Sequence, residues 1–365
     1  MANLNSITKR STEAFPFYRF SGTHFQIGEQ YGEACKDLIL KHHKYALEKL
    51  TNKVNIESLE ALQKEALKYR PYVQEYAPFF DEEIQGIAKS TGLTLGDVYF
   101  LQLRAEIYNH FESTDECTTF AILPEATKNG NPLVGQNADL PEFYSEVSIV
   151  AEFVPDEGPS QLMLTPAGQV SYIGINNLGL GVFANFIVCE GWRIGFPRYL
   201  LSRLALTKTN VREAVDLIDG IYRASSRNLI MLDKTGDSID LETVPERTSI
   251  IEPKNGLIAH SNHFIASELL NEERKVGEDL ENSKVRLSRM RSLLENKHGQ
   301  LNVEEMQEIL RDRETAPHTL CRMPGDFGVD SVTFASVIAE PSKGKMHVTM
   351  GPPNHFEYKT YSFTK

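Results

Sequence analysis

The sequence predicts an α+β fold in which antiparallel sheets lie between helical layers. Two observations carry this reading. The first third of the chain repeats its apolar residues at helical spacing, and at Cys117 the pattern switches to short runs of β-formers. After that point the order is strands, two helices, strands, two helices, strands, which hairpins account for better than βαβ units.

Residues 25–112 read as largely helical. Leu40, Leu47 and Leu50 recur at i, i+7 and i+10, with Ile39 and Ala46 beside them. Leu59, Leu62 and Ala66 give a second helix its apolar face, and Pro71 and Pro78 punctuate the end of that stretch. Residues 79–91 form a third helix closed by Gly92. Thr94 caps a fourth over 95–108, with Asp97 in its first turn. Strands are expected at 118–123, 132–136, 147–153, 161–165 and 172–176, with Asn129-Gly130 and residues 177–181 as turns. Helices at 196–206 and 211–221 precede strands at 228–232, 238–243 and 256–260. Helices at 283–294 and 303–310 follow, the second capped by Asn302 with Glu305 three residues on. A last hairpin joins 331–338 to 345–350.

At 365 residues the chain can bury a large core, and 41% hydrophobic with 24% charged residues is ordinary for a soluble protein. Its formal charge of −12 lacks the basic footprint of a nucleic-acid binder. It leaves room for a local basic pocket. No run approaches a membrane span, and residues 1–21 hold no signal-like apolar stretch, so no membrane partner and a cytoplasmic setting are expected. A homo-oligomer is compatible with the composition. The four cysteines, Cys35, Cys117, Cys189 and Cys321, form no CxxC pair. His260 and His263 are three apart without a third ligand, so no metal is expected.

Cys117 stands between an acidic, polar segment (113–116) and an apolar strand. Such a boundary cysteine is expected to be exposed at a sheet edge and held rigid from behind. Thiolates are strong nucleophiles that need only a nearby base. His110 is the one histidine close in sequence, so a cysteine–histidine dyad is not signalled. A freed α-amine on Cys117, with a reference pKa of about 8, would supply the base.

The order of motifs resembles the acyl-coenzyme A:6-aminopenicillanate acyltransferase family, the isopenicillin-N acyltransferase-like cysteine members of the N-terminal-nucleophile hydrolases. The residues that carry the resemblance are Gly22 to Gly28 with Gly32, Cys117-Thr118-Thr119, and Gly135-Gln136-Asn137-Ala138-Asp139. Asn176-Asn177-Leu178-Gly179, the 233–242 hairpin, His260 to Phe264 and the 336–351 strand pair extend it. The resemblance implies a four-layer αββα sandwich with an N-terminal helical region, made as a precursor. Cleavage between Glu116 and Cys117 would give a small chain of residues 1–116 and a catalytic large chain of residues 117–365. Family members commonly have glycine before the cysteine. Glu116 departs from that, and an uncleaved, non-catalytic binding protein is the reading the departure supports.

On the same resemblance, Asp139 orients the α-amine of Cys117 and Asn262 stabilises the oxyanion. Read from the residues alone, Asp139 also suits a turn before Leu140-Pro141, and Asn262 an Asx turn. Asn176 and Asn177 are weaker candidates for substrate contact, since they also suit a loop. Arg286 and Arg289 share a helix face and would meet a substrate carboxylate or a coenzyme A phosphate, or only solvent. The expected activity is that of a cysteine amidohydrolase or acyltransferase acting on a small nonpeptide amide. No cofactor is required. A coenzyme A thioester is an alternative acyl donor, with a small amine as acceptor.

Overall fold

The computed structural model describes residues 9–52, 57–103, 106–107, 116–326 and 331–364. His110 and residues 113–115 of the acidic segment lie outside them. The N-terminal part comprises β1 (Phe17–Gly22), α1 (His24–Ala34), α2 (Lys36–Thr51), α3 (Leu59–Leu67), α4 (Arg70–Tyr76), α5 (Pro78–Thr91) and α6 (Leu95–Gln102). Then come β2 (Glu116–Ile122), β3 (Leu133–Leu140), the short α7 (Tyr144–Val147), β4 (Ser148–Pro155), β5 (Gln161–Pro166), β6 (Ile173–Asn176) and β7 (Gly181–Asn185). The rest is α8 (Arg198–Ala205), α9 (Val211–Asp219), β8 (Arg227–Leu232), β9 (Ser238–Thr243), β10 (Thr248–Ile251), β11 (Leu257–His260), α10 (Gly277–Asn296), α11 (Val303–Leu310), β12 (Val332–Glu340), β13 (Lys345–Val348) and β14 (Lys359–Ser362).

Two sheets stack face to face. One has eight strands in the order β1-β4-β5-β6-β7-β8-β9-β10, the other six in the order β11-β2-β3-β12-β13-β14. β2 and β3 pack on β7 and β8 between the sheets. α10 and α11 cover the far side of the six-stranded sheet, where Leu287, Met290, Leu294, Met306 and Leu310 meet Phe120, Ile122 and Leu133. α8, α9 and the N-terminal helices cover the eight-stranded sheet. This is the expected αββα sandwich.

Local chemistry explains the elements. Thr94 accepts from the Asp97 N–H, and Asp97 returns the bond to the Thr94 N–H, closing the capping box that starts α6. Pro71 and Pro78 open α4 and α5 rather than ending a helix, because a first-turn residue needs no N–H donor. On α2 the buried stripe is Ile39, His42, His43 and Leu50, and Leu40 is exposed. Gly28 lets α1 touch α5, since a Cβ there would sit 2.1 Å from the Glu83 carbonyl oxygen. Gly135 does the same for β3 and β12, where a Cβ would lie 2.1 Å from the Val337 oxygen.

Four strands, β1, β7, β10 and β14, go beyond the expected set. β1 pairs in parallel with β4, so the N-terminal region contributes a strand to the larger sheet. The buried Arg203 of α8 clasps Glu83 of α5 at 2.5 and 2.8 Å, tying the helical region to the sheet layer.

Candidate active site

β2 is flanked by β11 on one side and β3 on the other, so Cys117 is not on an edge strand. Its residue is 4% exposed, a correction to the expected exposed boundary cysteine. The physical reason is that β11 and the chain following it cover the flank that would have been open. Strand alternation turns Cys117, Thr119 and Ala121 toward the eight-stranded sheet, and Thr118, Phe120 and Ile122 toward α10 and α11.

The backbone of Cys117 is clamped on both sides. His260 pairs with Thr119, so the chain two residues past His260 arrives beside Cys117. There the Cys117 N–H donates to Asn262 Oδ1 at 2.7 Å. The Cys117 carbonyl accepts from Arg286 Nη1 at 2.8 Å and from Asn185 Nδ2 at 3.0 Å. Arg286 also donates to Thr118 Oγ1 at 2.8 Å, Asn262 Oδ1 at 3.0 Å and Asn282 Oδ1 at 2.7 Å. Asn262 is fixed in turn: its Nδ2 donates to the Phe186 carbonyl at 2.8 Å, and its N–H to Ser283 Oγ at 2.7 Å.

These contacts differ from the expected ones. Asn262 presents its oxygen, not its amide nitrogen, to Cys117, and so accepts from the nitrogen that cleavage would turn into an α-amine. Asp139 pairs with Glu116, and strand alternation starts its side chain on the face opposite the thiol. There its Oδ1 accepts from Thr333 Oγ1 of β12 at 2.6 Å. Arg286 is fully buried at the backbone of Cys117, not on a solvated face. Arg289 points elsewhere, to Asp312 at 2.6 Å and to Glu314. Asn176 organises its own turn and anchors the end of α8 through the Leu206 and Lys208 carbonyls, and Asn177 is exposed. Neither joins the constellation around Cys117.

Two contributors carried no assigned role in the sequence reading. Gln136 sits two residues from Ala138, the register partner of Cys117, and therefore on the thiol's face. Its Oε1 is held by the Ala184 N–H at 2.9 Å, which aims Nε2 at the thiol, 3.6 Å from Sγ. Asn185, the last residue of β7, is the other. Both follow from strand register, a signal that needs β7 to be placed first.

Behind Asn185 lies a buried polar seam. Asn185 Oδ1 accepts from Thr119 Oγ1 and Asn228 Nδ2. Alternation puts Asn228, Asp240 and Glu242 on the same inner face. Glu242 holds His260 Nε2 at 2.8 Å, and the other ring nitrogen meets the Ser261 carbonyl. Burial pushes the Asp240 carboxyl up to about 7, with Glu242 adding to the rise. Burial opposes charge on His260, but Asp240 and Glu242 outweigh it and hold its pKa above the usual value. Burial drives His263 down to about 3, with His260 and Arg286 adding to the fall; its Nδ1 meets Ser283 Oγ at 2.7 Å. Neither ring takes the position of a partner to the thiol. Cys35 and Cys321 are buried, and desolvation pushes both thiols up to about 12. The same cause raises Cys189, so none of the three has the character of a nucleophile. No group of metal ligands occurs among the described residues, and no described helix is long and apolar enough to cross a membrane.

The chain is 28% identical over 339 residues to the acyl-coenzyme A:6-aminopenicillanic-acid-acyltransferase 40 kDa form of Emericella nidulans, covering 92% of each. Among solved structures it is similar to a variant of conjugated bile acid hydrolase from Clostridium perfringens, with TM-score 0.44 and 15% identity over 68% of this chain and 98% of that one. It is similar also to penicillin V acylase from Agrobacterium tumefaciens, with TM-score 0.44 and 12% identity over 64% and 83%. The profile of the acyl-coenzyme A:6-aminopenicillanic acid acyl-transferase family matches residues 126–355, more than half of the sequence, and the chain belongs to that family.

Proposed function

We propose that the chain is a precursor that breaks its own Glu116–Cys117 bond and then works as a cysteine amidohydrolase on small amides. The clamped backbone of Cys117 is the observation that carries this reading. Its nitrogen has a dedicated acceptor in Asn262, and its carbonyl has two dedicated donors in Arg286 and Asn185. On this flank three side chains, rather than the backbone of a neighbouring strand, satisfy both groups.

In the first step Sγ attacks the Glu116 carbonyl carbon. The C–N bond breaks, the nitrogen takes the proton, and a thioester forms. Water then releases the Glu116 carboxylate and restores the thiol. Residues 1–116 and 117–365 become two chains that stay associated, since β1 pairs within the larger sheet.

In turnover the new α-amine, oriented by Asn262 Oδ1, takes the thiol proton as Sγ attacks a substrate carbonyl. Gln136 Nε2 is the donor placed to stabilise charge developing on the substrate oxygen. The amine product leaves with the proton, and water hydrolyses the acyl-enzyme by the same route. Because Asn262 spends its amide nitrogen on Phe186, it serves the amine rather than the oxyanion.

Intact-mass measurement of the purified protein tests the first step: two masses meeting at Glu116/Cys117 support it. A single full-length mass, with no conversion on incubation, refutes it and favours the binding-protein reading. Release of free amine from N-acyl amines, absent in Cys117→Ala, tests the second. The family's description gives a coenzyme A thioester as an alternative acyl donor. Thioester consumption that depends on an added amine would select that reaction.

A further inference from the structure

β9 carries two carboxyls on its inner face, Asp240 and Glu242, and only one of them is provided with donors. Glu242 accepts from His260 Nε2 at 2.8 Å and from the backbone N–H groups of Ile265 at 2.6 Å and Ala266 at 3.2 Å. Asp240 is fully buried, and neither of its oxygens has a hydrogen-bond partner among the described residues. A buried carboxylate without donors is costly, and it escapes that cost by binding a proton. Burial is the largest influence on Asp240 and lifts its pKa to about 7; Glu242 adds to the rise, against His260, Asn228 and Arg291. The donors go to Glu242 and the proton to Asp240.

A third orphan lies beside these two oxygens. Asn228 pairs with Glu242 and Ile230 with Asp240, so Asn228 and Asp240 are diagonal neighbours on one face of the sheet. Asn228 Oδ1 is buried and also has no partner among the described residues. One N–H of its amide goes to Asn185 Oδ1 at 3.1 Å, which fixes the orientation of the amide and leaves the second N–H and Oδ1 side by side. A protonated carboxyl presents the complement, an O–H donor next to a carbonyl acceptor. One proton on Asp240 therefore satisfies all three orphan oxygens in a cyclic acid–amide pair. An ionised Asp240 offers acceptors only, and Asn228 Oδ1 stays unpaired. The chain of bonds runs on to the candidate active site: Asn185 Oδ1 accepts from Asn228 and from Thr119, and its Nδ2 holds the Cys117 carbonyl at 3.0 Å.

We propose that Asp240 is a positioning residue of the candidate active site: as a neutral acid it locks Asn228, and through Asn228 and Asn185 it holds the carbonyl of Cys117. This rests on the amidohydrolase reading above and adds to it a residue that reaches the nucleophile only through others. Among the described residues, the charged or titratable groups that act on Asp240 are Glu242 of its own strand, His260 of β11 and Arg291 of α10. β8 and β10 set the uncharged Asn228, Ile230 and Ile251 beside it, and the facing strand β2 turns Thr119 and Ala121 toward this sheet. The sign follows from the raised pKa. Below about pH 7 the acid is neutral and the pair is closed; above it Asp240 ionises, the pair opens, and the clamp on Cys117 loosens.

The test uses the full chain with isotope-labelled asparagine. The side-chain N–H signals of Asn228 and Asn185 should move together as pH rises through about 7, and the infrared carbonyl band of a protonated carboxylic acid should fade over the same range. Asp240→Asn carries the donor and the acceptor of the neutral acid without its titration, so both changes should vanish in it. In steady-state kinetics the ratio of wild-type to Asp240→Asn kcat should fall by about ten-fold from pH 6 to pH 8, the drop in the neutral fraction of such an acid, with KM little changed. Ionisations common to both chains, the α-amine included, cancel in the ratio. Asp240→Leu lacks the donor and should lie about ten-fold below Asp240→Asn in kcat at pH 6, the scale of one hydrogen bond. A flat ratio overturns the positioning role and leaves the amidohydrolase reading intact. Asparagine signals that do not titrate together overturn the inference whatever the turnover. If no amide is hydrolysed, the amidohydrolase reading fails, and the coupled titration alone decides: its presence supports the inference and its absence overturns it.

Discussion

Replacing Arg286 with lysine isolates what the buried fork does for the nucleophile. Among the described residues, the guanidinium spreads four hydrogen bonds of 2.7–3.0 Å over Asn282, Cys117, Thr118 and Asn262. A lysine keeps the charge but gathers its donors on one atom, so it can serve about two of these oxygens at once. Some of the loss is cushioned. The Cys117 carbonyl retains Asn185, and Asn262 Oδ1 retains the Cys117 N–H. Two lost bonds to a charged donor, offset by relaxation, put the destabilisation at about 3–5 kcal/mol. The larger effect should fall on rate. Both ends of the clamp run through this side chain, and a displacement of the thiol of about 1 Å costs on the order of 100-fold. Arg286→Lys should therefore be expressed as a folded chain whose cleavage at Glu116/Cys117, followed by intact mass over time, is slowed by about two orders of magnitude. Any cleaved fraction should show a comparable drop in kcat with little change in KM. Thermal unfolding measured in parallel separates the stability loss from the rate loss. Cleavage and turnover within about two-fold of wild type would refute the reasoning, because the clamp would then not position the nucleophile.

Three further outcomes are expected. Gln136→Leu removes the donor beside Sγ and should lower kcat by about 100-fold without moving KM, read by steady-state kinetics; an unchanged kcat takes Gln136 out of the site. His263 is held neutral by burial, with a pKa pushed down to about 3, so the unfolded chain binds its proton first and stability falls as pH drops from about 6.5 toward 3. His263→Gln should flatten that acid limb in pH-dependent denaturation, and an unaltered limb would contradict the assignment. Asp240 has the opposite sign. Its folded pKa is raised to about 7, so the unfolded chain gives up the proton first, and stability is lost as pH rises from about 4 through 7. Asp240→Asn should remove that loss and gain stability relative to wild type at pH 8, as thermal melts at pH 5 and pH 8 would report.

The parts of this fold that were legible in sequence are those in which a residue acts on its near neighbours. Thr94 with Asp97, Asn302 with Glu305, and Gly92 at the end of α5 each announce a helix boundary through bonds spanning three or four residues. The edge strands β1 and β14 give no such signal. In β14 only Tyr361 of four residues is buried, and β1 alternates poorly, so neither produces the period-two pattern that marks a half-buried strand. β7 was hidden because its glycine start runs on from the Asn177–Gly179 turn.

The site divides along the same line. Cys117, Asn262 and the Gly135 to Asp139 block are recognisable because they stand in ordered motifs. What each side chain faces is decided by pairing across strands far apart in the chain. Asn262 meets Cys117 because β11 continues its register with β2 past His260. Asp139 starts on the other face because it is one residue out of step with Ala138. Arg286 is 169 positions from the carbonyl it holds. A helix face can be read from local spacing, but its partner cannot, and that is why this arginine looked like a solvated surface residue.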